Sequence, residues 1–320
     1  MIKTLYESSS NTHRGASSIF GFVNSPVFRH NGDVVFIRGG RLWAYQGRVG
    51  RYGPILGCKE HEGVEQVVMG KGCYDDMFVI LTRQRTGSIL DRLDAIAVVH
   101  GTTGRVQTRI SPCRDHTCRA IHNICVDGNT HEIYAGVSVD TAVSTIVVYS
   151  WEGERLRQIE LQNVACLSLL IRVAFSDRLN QLFVMLPTWL DGIHVYSPDG
   201  KLVSTISIDA ISGHGRMICQ RECFDDTRGV FIVASRERES ITAYKWNGFK
   251  GRPDGVFGSG KKSTRPILEN VQAIDVSLDG QCIVAVDNGS RRLRMLSGLR
   301  HAQLPFLCCL FASSASSSKQ

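Results

Sequence analysis

Short hydrophobic runs separated by polar turns repeat along the whole chain. In each unit, two apolar runs flank a turn that contains Asp or Gly, and a variable loop leads to a third strand with alternating apolar positions. The third strands recur at intervals of 54, 50, 47, 48 and 51 residues. The positions that mark them are Tyr45, Val99, Tyr149, Tyr196, Tyr244 and Met295. A fixed period in this range, with four short strands per unit, predicts a β-propeller.

The repeats therefore predict an all-β fold, a six-bladed β-propeller of four-stranded antiparallel blades. The propeller is expected over residues 1–298, and the serine-rich tail, 299–320, is expected to be partly disordered. The blades are placed at approximately 21–57, 63–111, 116–161, 165–208, 215–260 and 268–298. No segment carries a long helical apolar period, so almost no helix is expected.

A ring of blades has to close, because open terminal blades would leave unpaired strand edges. The sixth unit ends near Met295 and Leu296 without a clear fourth strand. We predict that the N-terminal segment from Ile2 to Tyr6 supplies this strand and closes the ring. A C-terminal segment, Phe306 to Phe311, is the competing candidate.

Two stretches show a more specific pattern. Residues 272–280 (QAIDVSLDG) followed by 283–293 (IVAVDNGSRRL) resemble one NHL repeat, and so do 31–36 (NGDVVF) with 41–45 (RLWAY). Phe-Gly pairs at 20–21 and 257–258 are similar to the lead-in of that repeat. The chain thus resembles the C-terminal propeller of tripartite-motif NHL proteins. The resemblance implies six blades and a non-catalytic domain whose basic face binds RNA.

Composition fits a domain in a reducing compartment. Hydrophobic residues make up 43% and charged residues 21% of the chain, and the eleven cysteines are an odd number. The apolar stretch 304–312 is far shorter than the roughly 20 residues that cross a bilayer, and the N-terminus lacks the apolar core of a secretory signal. We expect a cytoplasmic monomer with no membrane association.

Four residues, Cys113, His116, Cys118 and His122, lie close enough together in the sequence to suggest a metal clip. Zinc ligands normally come as two separated pairs, and no second pair follows here. Packing cysteines and loop histidines are the preferred interpretation. We predict no metal and no cofactor.

Charge separates onto the two faces of the predicted disc. The turns between first and second strands (the turn face) collect Asp, a preferred turn former. The loops between second and third strands, with the links between blades (the loop face), collect arginine, whose planar fork fits phosphate and stacks on bases. A solvated, partly self-paired surface is the alternative. The predicted RNA-binding residues are Arg38, Arg41, Arg83, Arg85, Arg119, Arg216, Arg236, Arg238, Lys261, Lys262, Arg291 and the stacking candidate Trp189.

Three functions follow in order of preference. The first is a non-catalytic platform that binds single-stranded or stem-loop RNA in post-transcriptional regulation, which the net charge of +7 permits. The second is protein–protein interaction, or substrate recognition in a ubiquitin-ligase-type assembly. The third is a calcium-dependent, lactonase-like hydrolase with Glu65, Glu222 and Asp275 near the channel. No matching ligand set or nucleophile elbow is recognisable, so no catalytic residue is predicted.

Overall fold

A computed structural model describes most of the repeat region of the chain. The described residues are 2–7, 23–29, 31–46, 49–55, 63–70, 76–85, 92–111, 120–139, 144–161, 171–185, 193–206, 219–225, 230–235, 240–246, 251–258, 271–277, 282–287 and 292–297. They form 24 strands and no helix. Within this part of the chain, no helix is therefore long and apolar enough to cross a membrane. The tail 299–320 and the competing closing segment, Phe306 to Phe311, lie outside it.

The described strands form six four-stranded antiparallel sheets, which we number along the chain. The first sheet contains β2 (Val23–Phe28), β3 (Val34–Arg38), β4 (Arg41–Gln46) and β5 (Arg51–Pro54). The second contains β6 (Val64–Met69), β7 (Met77–Arg85), β8 (Arg92–His100) and β9 (Val106–Ile110). The third contains β10 (Ala120–Asp127), β11 (Glu132–Ser138), β12 (Ser144–Ser150) and β13 (Arg155–Glu160).

The other three sheets follow the same order, with one exception at the end of the ring. The fourth contains β14 (Arg172–Ser176), β15 (Gln181–Met185), β16 (Ile193–Tyr196) and β17 (Leu202–Ile206). The fifth contains β18 (Cys219–Asp225), β19 (Val230–Ser235), β20 (Ser240–Trp246) and β21 (Gly251–Gly258). The sixth contains β22 (Val271–Val276), β23 (Cys282–Asp287), β24 (Arg292–Ser297) and β1 (Ile2–Glu7).

The sheets are arranged in a closed ring. The first strands contact one another in the order β2, β6, β10, β14, β18 and β22, and β22 contacts β2 again. The N-terminal strand β1 pairs antiparallel with β24, so it occupies the outer edge of the sixth sheet. This arrangement confirms the predicted all-β propeller of four-stranded antiparallel sheets, and the N-terminal segment completes its last sheet.

The core lies between neighbouring sheets. The second strand of a sheet is covered on both faces, and in β3, β11 and β15 nearly every described side chain is buried. Between the second and third sheets, Leu81 and Val98 pack with Ile124 and Val137 in one apolar cluster. A strand buried on both faces needs a near-continuous hydrophobic run, which explains the uninterrupted runs in the sequence.

The first strand of each sheet is its innermost strand. Polar side chains of these innermost strands join one sheet to the next. In each case a side-chain oxygen accepts a hydrogen bond from a backbone N–H of the neighbouring innermost strand, at 2.8–3.1 Å. These bonds run from Val67 to Ser25, from Ile124 to Gln66, from Val173 to Asn123 and from Phe28 to Asp275. The last one crosses the junction between the sixth and first sheets, so it supports the closure made by β1.

The connection in the second sheet is shorter than the sequence predicts. The pattern of apolar residues predicts a loop from Thr82 to Leu93, and this prediction is wrong at both ends, because β7 extends to Arg85 and β8 begins at Arg92. Thr82 is buried and its hydroxyl donates to the backbone oxygen of Ala95, 3.2 Å away. Polar residues at this end of β7 form their hydrogen bonds inside the hairpin. A pattern of apolar residues therefore does not identify them as part of the strand.

Gly63 lies at a tight junction between the first and second sheets. Its φ is +72°, and a Cβ added there would lie 2.3 Å from the backbone oxygen of Arg83. The backbone N–H of Arg83 donates to the oxygen of Gly63 at 2.8 Å, and that of Val64 donates to Gly40 at 3.0 Å. Glycine is required here for its backbone angle and for the close approach.

Gly63→Ala should destabilise the protein much more than Gly32→Ala, because Gly32 shares a positive φ of +81° but has open space around it. We expect a cost of about 1 kcal/mol for Gly32→Ala from the backbone angle. For Gly63→Ala we expect roughly 3 kcal/mol, because the clash adds an overpacking cost. Urea unfolding of both variants measures the difference. Equal costs would contradict the close approach of Gly63 to the backbone of Arg83.

Candidate functional site

Two of the predicted RNA-binding arginines lie together in one hairpin on the loop face. Arg38 ends β3 and pairs with Arg41 at the start of β4, across Gly39 and Gly40, whose φ values are 58° and 71°. The guanidinium carbon of Arg38 lies 4.7 Å from the ring centroid of Trp43. Arg41 is exposed. The hairpin therefore presents a cation stacked on an aromatic ring beside a solvated cation.

Arg83, a third predicted arginine, is occupied by contacts within the protein. Its Nη1 lies 2.6 Å from Oε2 of Glu65, and its Nε lies 3.0 Å from Oδ1 of Asp94. Its Nη2 also donates to the backbone oxygen of Ile121 in the third sheet, at 3.2 Å. Asp94 is 1% exposed, and its second oxygen accepts the N–H of Ile121 at 2.9 Å. Arg83 thus neutralises a buried carboxylate and joins two sheets.

The described part of the chain does not place the other predicted RNA-binding residues beside Arg38 and Arg41. Arg85 is described only through its backbone, as the last residue of β7. The remaining members of the predicted site lie outside the described residues. These are Arg119, Trp189, Arg216, Arg236, Arg238, Lys261, Lys262 and Arg291.

Aspartates of the turn face act in the turns themselves. Asp127 accepts the N–H of Asn129 at 2.8 Å and the hydroxyl of Thr130 at 2.7 Å. Asp177 accepts the N–H of Gly128 at 2.8 Å, which joins the fourth sheet to the third. These contacts are those of turn-forming carboxylates.

The described carboxylates that were considered for a metal site or a hydrolase site also bind groups within the protein. Glu65 pairs with Arg83, and Asp275 accepts the N–H of Phe28 at 2.8 Å. Among the described residues, no group of three or more His, Cys, Asp or Glu side chains could hold a metal ion. Cys113, His116 and Cys118 of the considered metal clip, and the side chain of Glu222, lie outside the described set.

The circumference of the disc carries a feature that the sequence analysis missed. The exposed large hydrophobic side chains of the described residues all lie at the start of an outermost strand, or in the turn before it. They are Val49, Val106, Leu156 and Val203, and each lies within two residues of an exposed cation. The cations are Arg51, Arg105, Arg155 and Lys201. We call these eight residues the rim set, and its sequence signal is a turn glycine followed closely by Arg or Lys.

Arg157, in the same outer strand as Leu156, holds the third sheet against the fourth. Its guanidinium makes two bonds of 2.6 Å to the carboxylate of Glu132, and its Nε donates to the backbone oxygen of Pro198 at 3.0 Å. It also donates to the hydroxyl of Tyr134 at 2.9 Å. Burial disfavours the charged form of Glu132, but the bonds and charge of Arg157 outweigh it and hold the pKa of Glu132 below its usual value.

Arg172 is a further basic residue of the loop face that the sequence analysis missed. It begins β14, the innermost strand of the fourth sheet, and pairs with Met185 at the end of β15. The residue is half-buried, and its Nη1 is buried with no hydrogen-bond partner among the described residues. In the described part of the chain this guanidinium has no neutralising contact of the kind made by Arg83 and Arg157.

Comparison of the whole chain with solved structures decides the fold. A structure described as the mitotic checkpoint complex matches with a TM-score of 0.56 and 9% identity, over 93% of this chain and 94% of the other. An auxiliary nutrient binding protein from Bacteroides thetaiotaomicron matches with a TM-score of 0.55 and 12% identity, over 86% of this chain and 69% of the other. The chain is a β-propeller.

The likeness of this propeller to other proteins is one of fold alone, because both identities are low. No protein-family profile matches the chain. No curated protein matches it either. Function therefore has to be argued from the residues of the site.

Arg83→Met should destabilise the propeller, because it leaves the carboxylate of Asp94 buried without its cation. We expect a loss of roughly 3–5 kcal/mol in the free energy of unfolding. Arg41→Met, on the same face but exposed, should change it by less than about 0.5 kcal/mol. Urea unfolding at neutral pH compares them. An Arg83→Met protein as stable as Arg41→Met would show that Arg83 is not a structural residue.

Glu132→Gln should destabilise the protein at pH 7 and have little effect in acid. The folded pKa of Glu132 is lowered, so its stabilisation is complete above the unfolded pKa, about 4.3, and is lost as pH falls through the folded value. We expect a difference of roughly 1–3 kcal/mol from the wild type at pH 7, which shrinks as the pH falls through the folded pKa of Glu132. Urea unfolding at several pH values measures this. A difference that does not depend on pH would contradict the ion pair.

Proposed function

We propose that this propeller is a non-catalytic platform that binds a protein partner at its rim. The observation that carries the proposal is the rim set, in which an exposed apolar side chain recurs beside an exposed cation on the first four sheets. Single exposed apolar residues are common on protein surfaces and need no explanation. Their recurrence at one structural position, next to a positive charge each time, favours a surface that meets acidic and apolar groups.

The outer edge of the second sheet, β9, is the best docking position in the rim. Its exposed residues include Arg105, Val106 and Arg109, and residues 101–111 contain no acidic residue. By contrast, β5 has only four residues and ends in Pro54, and β13 is flanked by acidic residues. We infer that an extended segment with acidic and apolar side chains adds to β9 as a further strand.

Strand addition uses backbone groups that an outermost strand leaves unpaired. The strand β9 pairs with β8 on one side only. Gly153, in the turn before β13, packs beside Thr108 and Ile110, and glutamates 152 and 154 flank it. The acidic groups of the partner are therefore expected at the Arg105 end of the strand.

RNA binding on the loop face is the second candidate function. The observation that favours it is the stack of Arg38 on Trp43 beside the exposed Arg41. Aromatic rings and guanidinium planes are the groups on which single-stranded bases stack. The engagement of Arg83 with two carboxylates leaves a smaller described surface for the phosphate backbone than the sequence predicts. Protein binding is therefore preferred over RNA binding.

We also propose that the blades are six NHL-type repeats of a cytoplasmic protein. Six described sheets support the count. The two stretches that resemble NHL repeats belong to the sixth and first sheets, which are neighbours across the closure of the ring. Asp275 of one stretch binds the backbone of Phe28, just before the other, at 2.8 Å.

Selection of peptides from a random display library on the purified protein tests the proposed docking position. We expect enrichment of segments in which Asp or Glu alternates with apolar residues, because these complement Arg105, Val106 and Arg109. The double variant Arg105→Glu/Arg109→Glu should bind an enriched peptide at least about tenfold more weakly, since like charges then oppose each other. Arg41→Glu, at an exposed arginine of the loop face outside the rim set, is the matched control and should bind normally.

A random RNA pool applied to the same protein separates the two functions. Retention that falls about a thousandfold between 50 and 200 mM salt, and that depends on Arg38 and Arg41, would favour RNA binding instead. Failure to enrich acidic peptides, or equal binding by the double variant, would refute docking at β9.

A further inference from the structure

We propose that Arg172 is the centre of a carboxylate-binding site at the mouth of the central channel. The site is separate from the rim, because Arg172 lies on an innermost strand and the rim set lies at the outermost strands. The ligand is a monovalent carboxylate, which belongs to a small organic acid, to an acidic side chain or to a chain terminus.

The position of Arg172 follows from the strand pairing. Ile171, Val173 and Phe175 belong to the apolar cluster between the third and fourth sheets. Side chains alternate along a strand, so Arg172 lies on the opposite side of β14, toward the fifth sheet. Its pairing with Met185, the last residue of β15, places it at the loop-face end of the channel.

Four other half-buried guanidinium groups of the described chain make contacts that Arg172 lacks. Arg83 and Arg157 each bind carboxylates, Arg29 approaches Asp76 at 3.7 Å, and Arg38 stacks on Trp43. For Arg172, Nη1 is buried and no described residue bonds to it. A buried polar group without a partner costs free energy, and a charged one costs more. A ligand anion would supply the missing partner.

Other innermost strands are irregular at this end of the channel. The register of β6, β10, β18 and β22 shifts near the loop-face end, at Glu65, His122, Gln220 and Gln272. Such β-bulges redirect a side chain and are frequent beside functional sites. The bond from the N–H of Val173 to Asn123, at 2.8 Å, joins the strand of Arg172 to the strand that contains the bulge residue His122.

The charges on this end favour a carboxylate over a phosphate. Glu65 and Asp94 both bind Arg83, so Arg83 is not available to a second anion. One planar guanidinium matches the charge and the two oxygens of one carboxylate. A doubly charged phosphate would need a further cation, which Arg83 does not supply because it binds Glu65 and Asp94.

Thermal unfolding of the full chain tests the site. Three probes are used: acetate for a small acid, N-acetylalanine for a chain terminus, and N-acetylglutamate α-amide for an acidic side chain. Each probe is compared with sodium chloride at the same ionic strength. At about ten times its Kd, a bound acid should raise Tm by roughly 2–4 °C. The acid that acts identifies the source of the carboxylate.

Variants show whether the effect belongs to Arg172. Arg172→Met should abolish the rise in Tm, while Arg41→Met, an exposed arginine of the same face, should keep it. If Arg172→Met does not fold, modification of the wild-type arginines by phenylglyoxal, followed by mass spectrometry, gives the answer: the carboxylate should protect Arg172 and not Arg41.

Three results would overturn the proposal. The first is no rise in Tm beyond that in chloride for any of the acids. The second is an equal rise in Arg172→Met, or equal modification of Arg172 with and without the acid. The third is inorganic phosphate acting through Arg172 more strongly than every carboxylate, which would replace the carboxylate by a phosphate ligand.

Discussion

The structure depends on the contact between neighbouring sheets around a closed ring. A single sheet of this protein is apolar on both faces, so it is covered only when a sheet lies on each side. The innermost strands are held together by backbone N–H groups that bind side chains of the next strand, as in the bond from Ile124 to Gln66 at 2.9 Å. Closure by β1 gives the sixth sheet its outer strand, and the bond to Asp275 joins that sheet to the first.

The same constraint separates structural polar residues from those available for binding. Arginines that lie between sheets are neutralised there, and Arg83 and Arg157 are the clearest cases. Exposed cations remain at the rim and in the hairpin of Arg41, while Arg172 is half-buried and has no such partner among the described residues. Binding therefore has three candidate locations on one ring of sheets, and each offers a different chemistry: an edge strand, a stacked aromatic ring and a channel cation.

The fold could be predicted from the sequence because the hydrophobic period is a direct consequence of the repeated sheet. The turn between β2 and β3 could also be predicted from Asn31-Gly32-Asp33, since Gly32 has the positive φ that this turn needs. The extent of β7 could not be predicted, because Thr82 and Arg83 are polar residues whose partners, Ala95 and Asp94, come from the next strand. A pattern of apolar residues does not contain that information.

The candidate site was less predictable, because charge on a loop does not show whether a partner is present. Arg38 and Arg83 look alike in the sequence, but one stacks on Trp43 and the other is bonded to Glu65 and Asp94. Hydrogen exchange of a chain lacking residues 1–7 tests the closed ring most directly. We predict faster exchange in β24 and also in β2, across the junction, because the closure supports both. Faster exchange confined to β24, with β2 unchanged, would contradict a ring that closes as one unit.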